Sequence, residues 1–139
     1  MRDNNRIILA ENEKDILIPL KTIFELNGYE VIITDKVKDL LPLVQSTNAK
    51  WMILDVELTD GTSITEIPKI KNEIEDIFIF LLIGDLNRQK ELEFLNSGAN
   101  IILRKPYLLP EIILVQLQKN RNYFEGNNEK TSIKKSQDL

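Results

Sequence analysis

Short apolar runs alternate along this chain with stretches whose apolar residues recur at helical spacing. The first run, Ile7-Ile8-Leu9-Ala10, follows Arg6 and ends in the polar cluster Glu11-Asn12-Glu13. β-branched residues closed by a polar stop read as a strand buried on both faces. Residues 15–27 then place Ile16, Leu20, Ile23 and Phe24 at roughly helical intervals, and Gly28 falls where a helix C′ residue belongs. The same reading predicts a strand over 29–34, a helix over 37–46, and a strand of Trp51-Met52-Ile53-Leu54 closing on Asp55. Asp60-Gly61 marks a turn, and Ser63 with Glu66 fits a capping box opening the next helix. The remaining elements are a strand over 77–83, a helix over 87–97 stopped by Gly98, a strand over 100–103 and a helix over 108–123.

Strand and helix thus alternate five times. That order implies a parallel sheet with helices on both faces, because each crossover connection must lie over a face. Ligands of such sheets bind beyond the carboxyl ends of the strands, and Glu11, Asp55 and Lys105 all fall at or just past predicted strand ends. Trp51, Phe78 and Phe80 read as core. Three prolines sit inside predicted helices, where the ring removes a hydrogen bond and clashes with the preceding turn. Pro42 fits if its helix starts near Leu40 with Asp39 as N-cap; Pro19 and Pro68 are expected to kink their helices or shift their starts. Residues 1–124 form the predicted domain. Residues 125–139 are polar and read as a disordered tail or a truncated linker.

Composition narrows the chemistry. The 139 residues contain no cysteine and no histidine. Disulfides, thiolate nucleophiles, imidazole bases and His- or Cys-ligated metals are therefore excluded, and any metal must be a hard cation held by oxygens. The formal net charge is −4, and no basic stripe marks a nucleic-acid surface. The amino-terminal residues lack an apolar signal segment, and the longest apolar run, residues 77–83, is too short to span a membrane. These features predict a cytoplasmic protein with no membrane partner.

Four features together carry a resemblance. An acidic patch, Glu11-Asn12-Glu13, follows the first strand; Asp55 closes the third, with Asp60-Gly61 after it; Gly98-Ala99 precedes the fifth strand; and Lys105-Pro106 closes it. In this order and on these elements, residues 6–123 resemble a response-regulator receiver domain of two-component signalling. The resemblance implies a flavodoxin- or CheY-like α/β fold: one doubly wound, five-stranded parallel sheet of order 2-1-3-4-5. It implies a signalling module rather than an enzyme. Asp55 would accept a phosphoryl group from a histidine kinase or phosphotransfer protein, and Lys105 would contact that group. Mg²⁺ would be held by Asp55, Asn12 and the backbone carbonyl of Glu57, with Glu11 helping through water. The Lys105-Pro106 peptide would be cis. A downstream output protein or domain, and a homodimer, are further partners of the kind the resemblance implies.

The departures matter as much as the match. No Ser or Thr lies between Thr65 and Ser97, so the hydroxyl that the family places at the end of the fourth strand is replaced, at the matching position, by Ile83. The family's fifth-strand aromatic is replaced by Ile102, and its second metal-binding acid by Asn12, which predicts weak Mg²⁺ binding. Switching is therefore expected to be impaired or altered. The alternative is a pseudo-receiver that binds partners without phosphorylation. A more distant alternative is a haloacid-dehalogenase-like phosphatase, whose nucleophile motif residues 51–59 resemble and whose metal motif Gly84-Asp85 resembles. Against it, the motif's second acid is Glu57 here, and too little chain separates Asp55 from Asp85.

Overall fold

The computed structural model describes residues 2–84, 88–105 and 109–121. Five strands form one parallel sheet: β1 (Asp3–Ala10), β2 (Glu30–Thr34), β3 (Ala49–Asp55), β4 (Phe78–Ile83) and β5 (Ile101–Arg104). Their spatial order is β2-β1-β3-β4-β5, as the resemblance predicts. Among the described residues, α1 (Lys14–Leu26), α2 (Leu40–Thr47), α3 (Glu66–Glu73) and α4 (Arg88–Leu95) connect them, and α5 (Leu109–Lys119) follows β5. A two-strand antiparallel hairpin, Glu57–Leu58 with Gly61–Thr62, follows β3; sequence periodicity is blind to strands this short. The expected helix start at Asn87, the Lys105-Pro106 peptide, the end of α5 at Tyr123 and the 125–139 tail lie outside the described residues.

Successive strand residues point to opposite faces, and here the two sets build two cores. Ile7, Leu9, Trp51, Ile53, Phe78, Phe80 and Leu82 pack with Leu20 and Phe24 of α1 and with Ile113 and Leu117 of α5. Ile8, Ala10, Met52, Leu54, Ile79, Leu81 and Ile83 pack instead with α2 through Leu40 and Val44, with α3 through Ile67 and Ile70, and with Phe94 of α4. All seven residues of β3 are buried, which is why it and β4 read as continuous apolar runs rather than as alternating ones. The three aromatics predicted as core form one cluster: Trp51 and Phe78 meet edge-on with ring centroids 5.3 Å apart, and Phe80 lies 5.1 Å from Phe78.

Two of the prolines are explained by where their helices start. Pro42 and Pro68 are each the third residue of α2 and α3. No intrahelical acceptor exists for the N–H groups of a first turn, so proline removes nothing there. Pro19 remains inside α1, with no N–H to give the Asp15 carbonyl; both residues face solvent, where water can serve that carbonyl. Gly28 follows α1 at φ 89°, as predicted for a C′ position.

Two predicted caps are corrected. Asp39 precedes α2, but its carboxylate accepts from the Thr34 hydroxyl at 2.8 Å and makes no cap bond. The turn ahead of α2 is capped from a distance, by Asp60 accepting from the N–H groups of Val37 (2.6 Å) and Lys38 (3.2 Å). Those two bonds draw the Asp60 carboxyl below its ordinary pKa. The Ser63–Glu66 capping box also does not form. Ser63 is buried and donates to the Asp55 carbonyl at 2.7 Å, while Glu66 pairs with Lys69. Each side chain found a partner other than the helix N–H it was expected to cap.

Phe80 is fully buried between β3, α1 and α5. Phe80→Ala is expected to destabilise the fold by about 3–5 kcal/mol, read as a lowered denaturant midpoint at unchanged m-value.

Candidate functional site

Strand register gathers the polar residues at one edge. Ala10 pairs with Leu54, so the next residue on each strand, Glu11 and Asp55, stand side by side past the sheet's carboxyl edge. Leu9 and Ile53 belong to the α1/α5 core, and the period of two carries Glu11 and Asp55 onto that same face. Lys105 arrives from two strands away. Ile83 pairs with Arg104, and the next N–H, that of Lys105, donates to the Ile83 carbonyl at 2.9 Å. Two strand spacings are roughly 10 Å, a gap that the Lys105 and Asp55 side chains close together.

The Lys105 ammonium meets three acids. It lies 3.0 Å from Asp55 Oδ2, 2.9 Å from Glu13 Oε1 and 3.5 Å from Glu11 Oε1. The Glu11 and Asp55 side chains are buried, whereas that of Glu13 is 59% exposed. Carboxylate oxygens of Glu11, Glu13 and Asp55 lie within 4.8 Å of one another. Glu11 Oε2 accepts from the N–H groups of Asn12 (3.0 Å) and Glu13 (3.2 Å), but the buried Oε1 has no hydrogen-bond partner among the described residues. Burial first, and then the adjacent Asp55 carboxylate, push the Glu11 carboxyl up to about 7; Lys105 and the Glu13 N–H oppose that shift without cancelling it. Burial alone would lower the Lys105 pKa, but its bonds to Glu13 and Asp55 and the charges of Asp55 and Glu11 raise it. Lys105 therefore stays an ammonium throughout the neutral range.

The Asp55 main chain is fixed from below. Ser63 Oγ holds its carbonyl, the Val56 N–H donates to Leu82, and the Ser63 N–H donates to Val56. The hairpin that follows is tied to the β2–α2 connection by Asp60 and by Thr59, whose N–H and hydroxyl both donate to the Asp35 carbonyl.

Of the predicted site residues, Glu11, Asp55 and Lys105 are in contact, and Asn12 and Glu57 line the same cavity of about 400 Å³. Among the described residues the Asn12 amide makes no hydrogen bond. Ile83 is buried in the wall of that cavity. Ile102 packs half-buried against the same core cluster, on the opposite face of the sheet from the acids. The sequence reading passed over Glu13 as a site residue. An extended segment sends residues two apart to one side; Glu13 has extended φ/ψ of −89° and 114° and joins Glu11 at Lys105. The signal was the Glu-x-Glu spacing itself. Lys90 and Phe94 of α4, which complete the cavity, carried no such signal.

Comparison with known proteins agrees with this geometry. The response regulator receiver domain family matches residues 7–116. The response regulator SaeR of Staphylococcus epidermidis is 29% identical over 108 residues, covering 78% of this chain and 47% of that protein; its Staphylococcus aureus counterpart is 25% identical over the same length. The chain thus spans about half the length of these curated relatives. A CheY-like receiver domain from Methanospirillum hungatei superposes with a TM-score of 0.79 at 22% identity, over 89% of this chain and 98% of that one, and shows the same fold. The likeness lies with receivers. With its matched segment covering most of the chain, its five-stranded sheet and its acid–lysine edge, this chain belongs to the response-regulator receiver domain family.

Proposed function

We propose that Asp55 accepts a phosphoryl group from a histidine kinase or phosphotransfer protein and that Lys105 contacts that group. The observation that carries this reading is the buried Asp55 carboxylate, held 3.0 Å from the Lys105 ammonium and opening on a cavity at the sheet's carboxyl edge. One Asp55 oxygen would form the new P–O bond as the donor's P–N bond breaks and its imidazole leaves. Lys105, an ammonium at every relevant pH, would follow the charge from the carboxylate to the phosphoryl oxygens.

The donor set fits a hard divalent cation. All candidate ligands are oxygens, three carboxylates converge, and Glu11 Oε1 is buried without a hydrogen-bond partner among the described residues. Asp55, Asn12 and the Glu57 backbone carbonyl would hold Mg²⁺, with Glu11 at its side and Glu13 joining the cluster. The ion would supply charge neutralisation between the acids and the incoming phosphoryl group. An amide at position 12 gives less attraction than an acid, so binding is weak.

Switching is altered in this reading. Ile83 offers no hydroxyl and Ile102 no ring, and both pack into one apolar cluster. That same observation favours the second reading, a pseudo-receiver that binds partners regardless of phosphorylation. Residues 1–124 constitute the receiver unit and residues 125–139 a polar tail. The chain works in the cytoplasm, with an output protein or domain and a second copy of itself as further partners.

Incubation with Mg²⁺ and acetyl phosphate should add the mass of one phosphoryl group to the wild type and none to Asp55→Asn, read by intact-mass spectrometry; an unmodified wild type would leave the pseudo-receiver. Asn12→Asp should tighten Mg²⁺ binding roughly tenfold by restoring one anionic ligand, and identical titrations of the two proteins would remove Asn12 from the ligand set.

The raised Glu11 pKa has a defined sign. The folded pKa of about 7 lies above the ordinary 4.5, so between those values the folded state holds a proton that the unfolded state has lost. Stability from this group is present below about 4.5 and is lost as pH rises toward about 7. In metal-free protein, Glu11→Gln should gain on the wild type in thermal stability across that window, and saturating Mg²⁺ should narrow the difference. Parallel melting curves at pH 5 to 8 check it.

A further inference from the structure

We propose that Lys90 of α4 is a second cationic contact for the phosphoryl group on Asp55, standing in for the hydroxyl that Ile83 replaces. The proposal rests on Asp55 being the phosphoacceptor and adds the residue through which that state reaches α4.

The cavity beyond the sheet's carboxyl edge has two dissimilar walls. Glu13, Asp55 and Lys105 form one, on the α1/α5 side of the sheet; Ile83, Phe94 and Lys90 belong to the other. Phe94 is buried and packs in the same cluster as Ile83, which anchors α4 over the end of β4. Lys90 lies four residues before Phe94, so it shares that helix face one turn nearer the amino end. On that wall the Ile83 and Phe94 side chains offer no donor, and Lys90 beside them is exposed.

Charge makes this arrangement one-sided. Without a phosphoryl group, the acids of the site already share Lys105, and among the described residues Lys90 has no carboxylate partner. Phosphorylation replaces one carboxylate charge at Asp55 by a group of higher negative charge with three outward acceptor oxygens. Lys105 can meet these from its own side only. The oxygens turned toward Ile83 meet no side-chain hydroxyl at that position, and Lys90 is the lysine lining that wall. A flexible four-carbon stem suits such a contact, because the ammonium needs no fixed approach angle. Unlike a short hydroxyl on β4, the contact acts directly on α4, so the phosphorylated state would bias the position of that helix rather than the packing of β4 against β5.

Beryllium fluoride with Mg²⁺, titrated into the full chain, tests the proposal with five proteins: wild type, Lys90→Gln, Lys90→Arg, Lys69→Gln and Asp55→Asn. Lys69 is an exposed α3 lysine paired with Glu66 and controls for loss of one surface charge. Lys90→Gln should weaken binding by up to about fivefold at low salt, with most of the loss vanishing at high ionic strength. Lys90→Arg should recover most of the affinity, and Lys69→Gln should match the wild type. The Lys90 side-chain NMR signal should move on binding. Equal affinities for wild type and Lys90→Gln, with Asp55→Asn not binding, would overturn the role of Lys90 and leave Asp55 in place. Equal losses in Lys90→Gln and Lys69→Gln, or no recovery by Lys90→Arg, would also overturn it. Wild type that does not bind, or Asp55→Asn that binds equally, would instead overturn the reading of Asp55 on which the proposal stands.

Discussion

One ammonium holds the functional edge together. Glu11, Glu13 and Asp55 converge within a few ångströms of one another, and without the Lys105 charge between them their mutual repulsion would oppose the register that brings β1 beside β3. The strand ends that carry these acids are fixed by the apolar ladder beneath, Ile7 to Trp51 to Phe78 and Leu9 to Ile53 to Phe80. Hydrophobic burial therefore sets where the charges stand, and the lysine makes that placement tolerable. Burial first, and then the adjacent Asp55 carboxylate, still push the Glu11 carboxyl up to about 7 despite that charge.

The two faces of the sheet divide the labour. The acid–lysine edge rises from the face covered by α1 and α5, while Ile83 and Ile102 pack on the face covered by α2, α3 and α4. Where a receiver carries a hydroxyl and an aromatic at these two positions, polar contacts join the faces. Here Ile83 and Ile102 make that part of the second face apolar, and the coupling proposed through Lys90 is electrostatic. Packing of this kind is stiff, since β-branched side chains have few rotamers to exchange.

Much of this was legible in the residues. The alternation of apolar runs and helical spacings specified the sheet, and the positions of Glu11, Asp55 and Lys105 at strand ends specified which residues would meet. What escaped was set by contacts between distant segments. Ser63 looks like a helix cap until the Asp55 carbonyl, eight residues back, takes its hydroxyl. Asp39 looks like a cap until Thr34 engages it and Asp60 caps the turn from across the surface. Propensity ranks such polar side chains by their nearest neighbours in sequence, whereas folding lets every donor and acceptor within reach compete. Glu13 was missed for a different reason: its Glu-x-Glu spacing from Glu11 becomes informative only once Lys105 is seen to meet both acids.

Trp51 is the single tryptophan of the chain, and its setting decides what light can report about this molecule. The indole is fully buried, donates to the Asn4 carbonyl at 2.8 Å, and lies under the Lys50 ammonium at 4.7 Å. It stands four residues up the strand from Asp55, roughly 13 Å away, on the far side of the aromatic cluster from the charged edge. Its emission is thus a gauge of whether the amino-terminal end of the sheet is intact. Denaturation would shift it strongly, while chemistry at Asp55 would leave it almost dark to change, so fluorescence offers a measure of folding that is optically separate from the occupancy of the site.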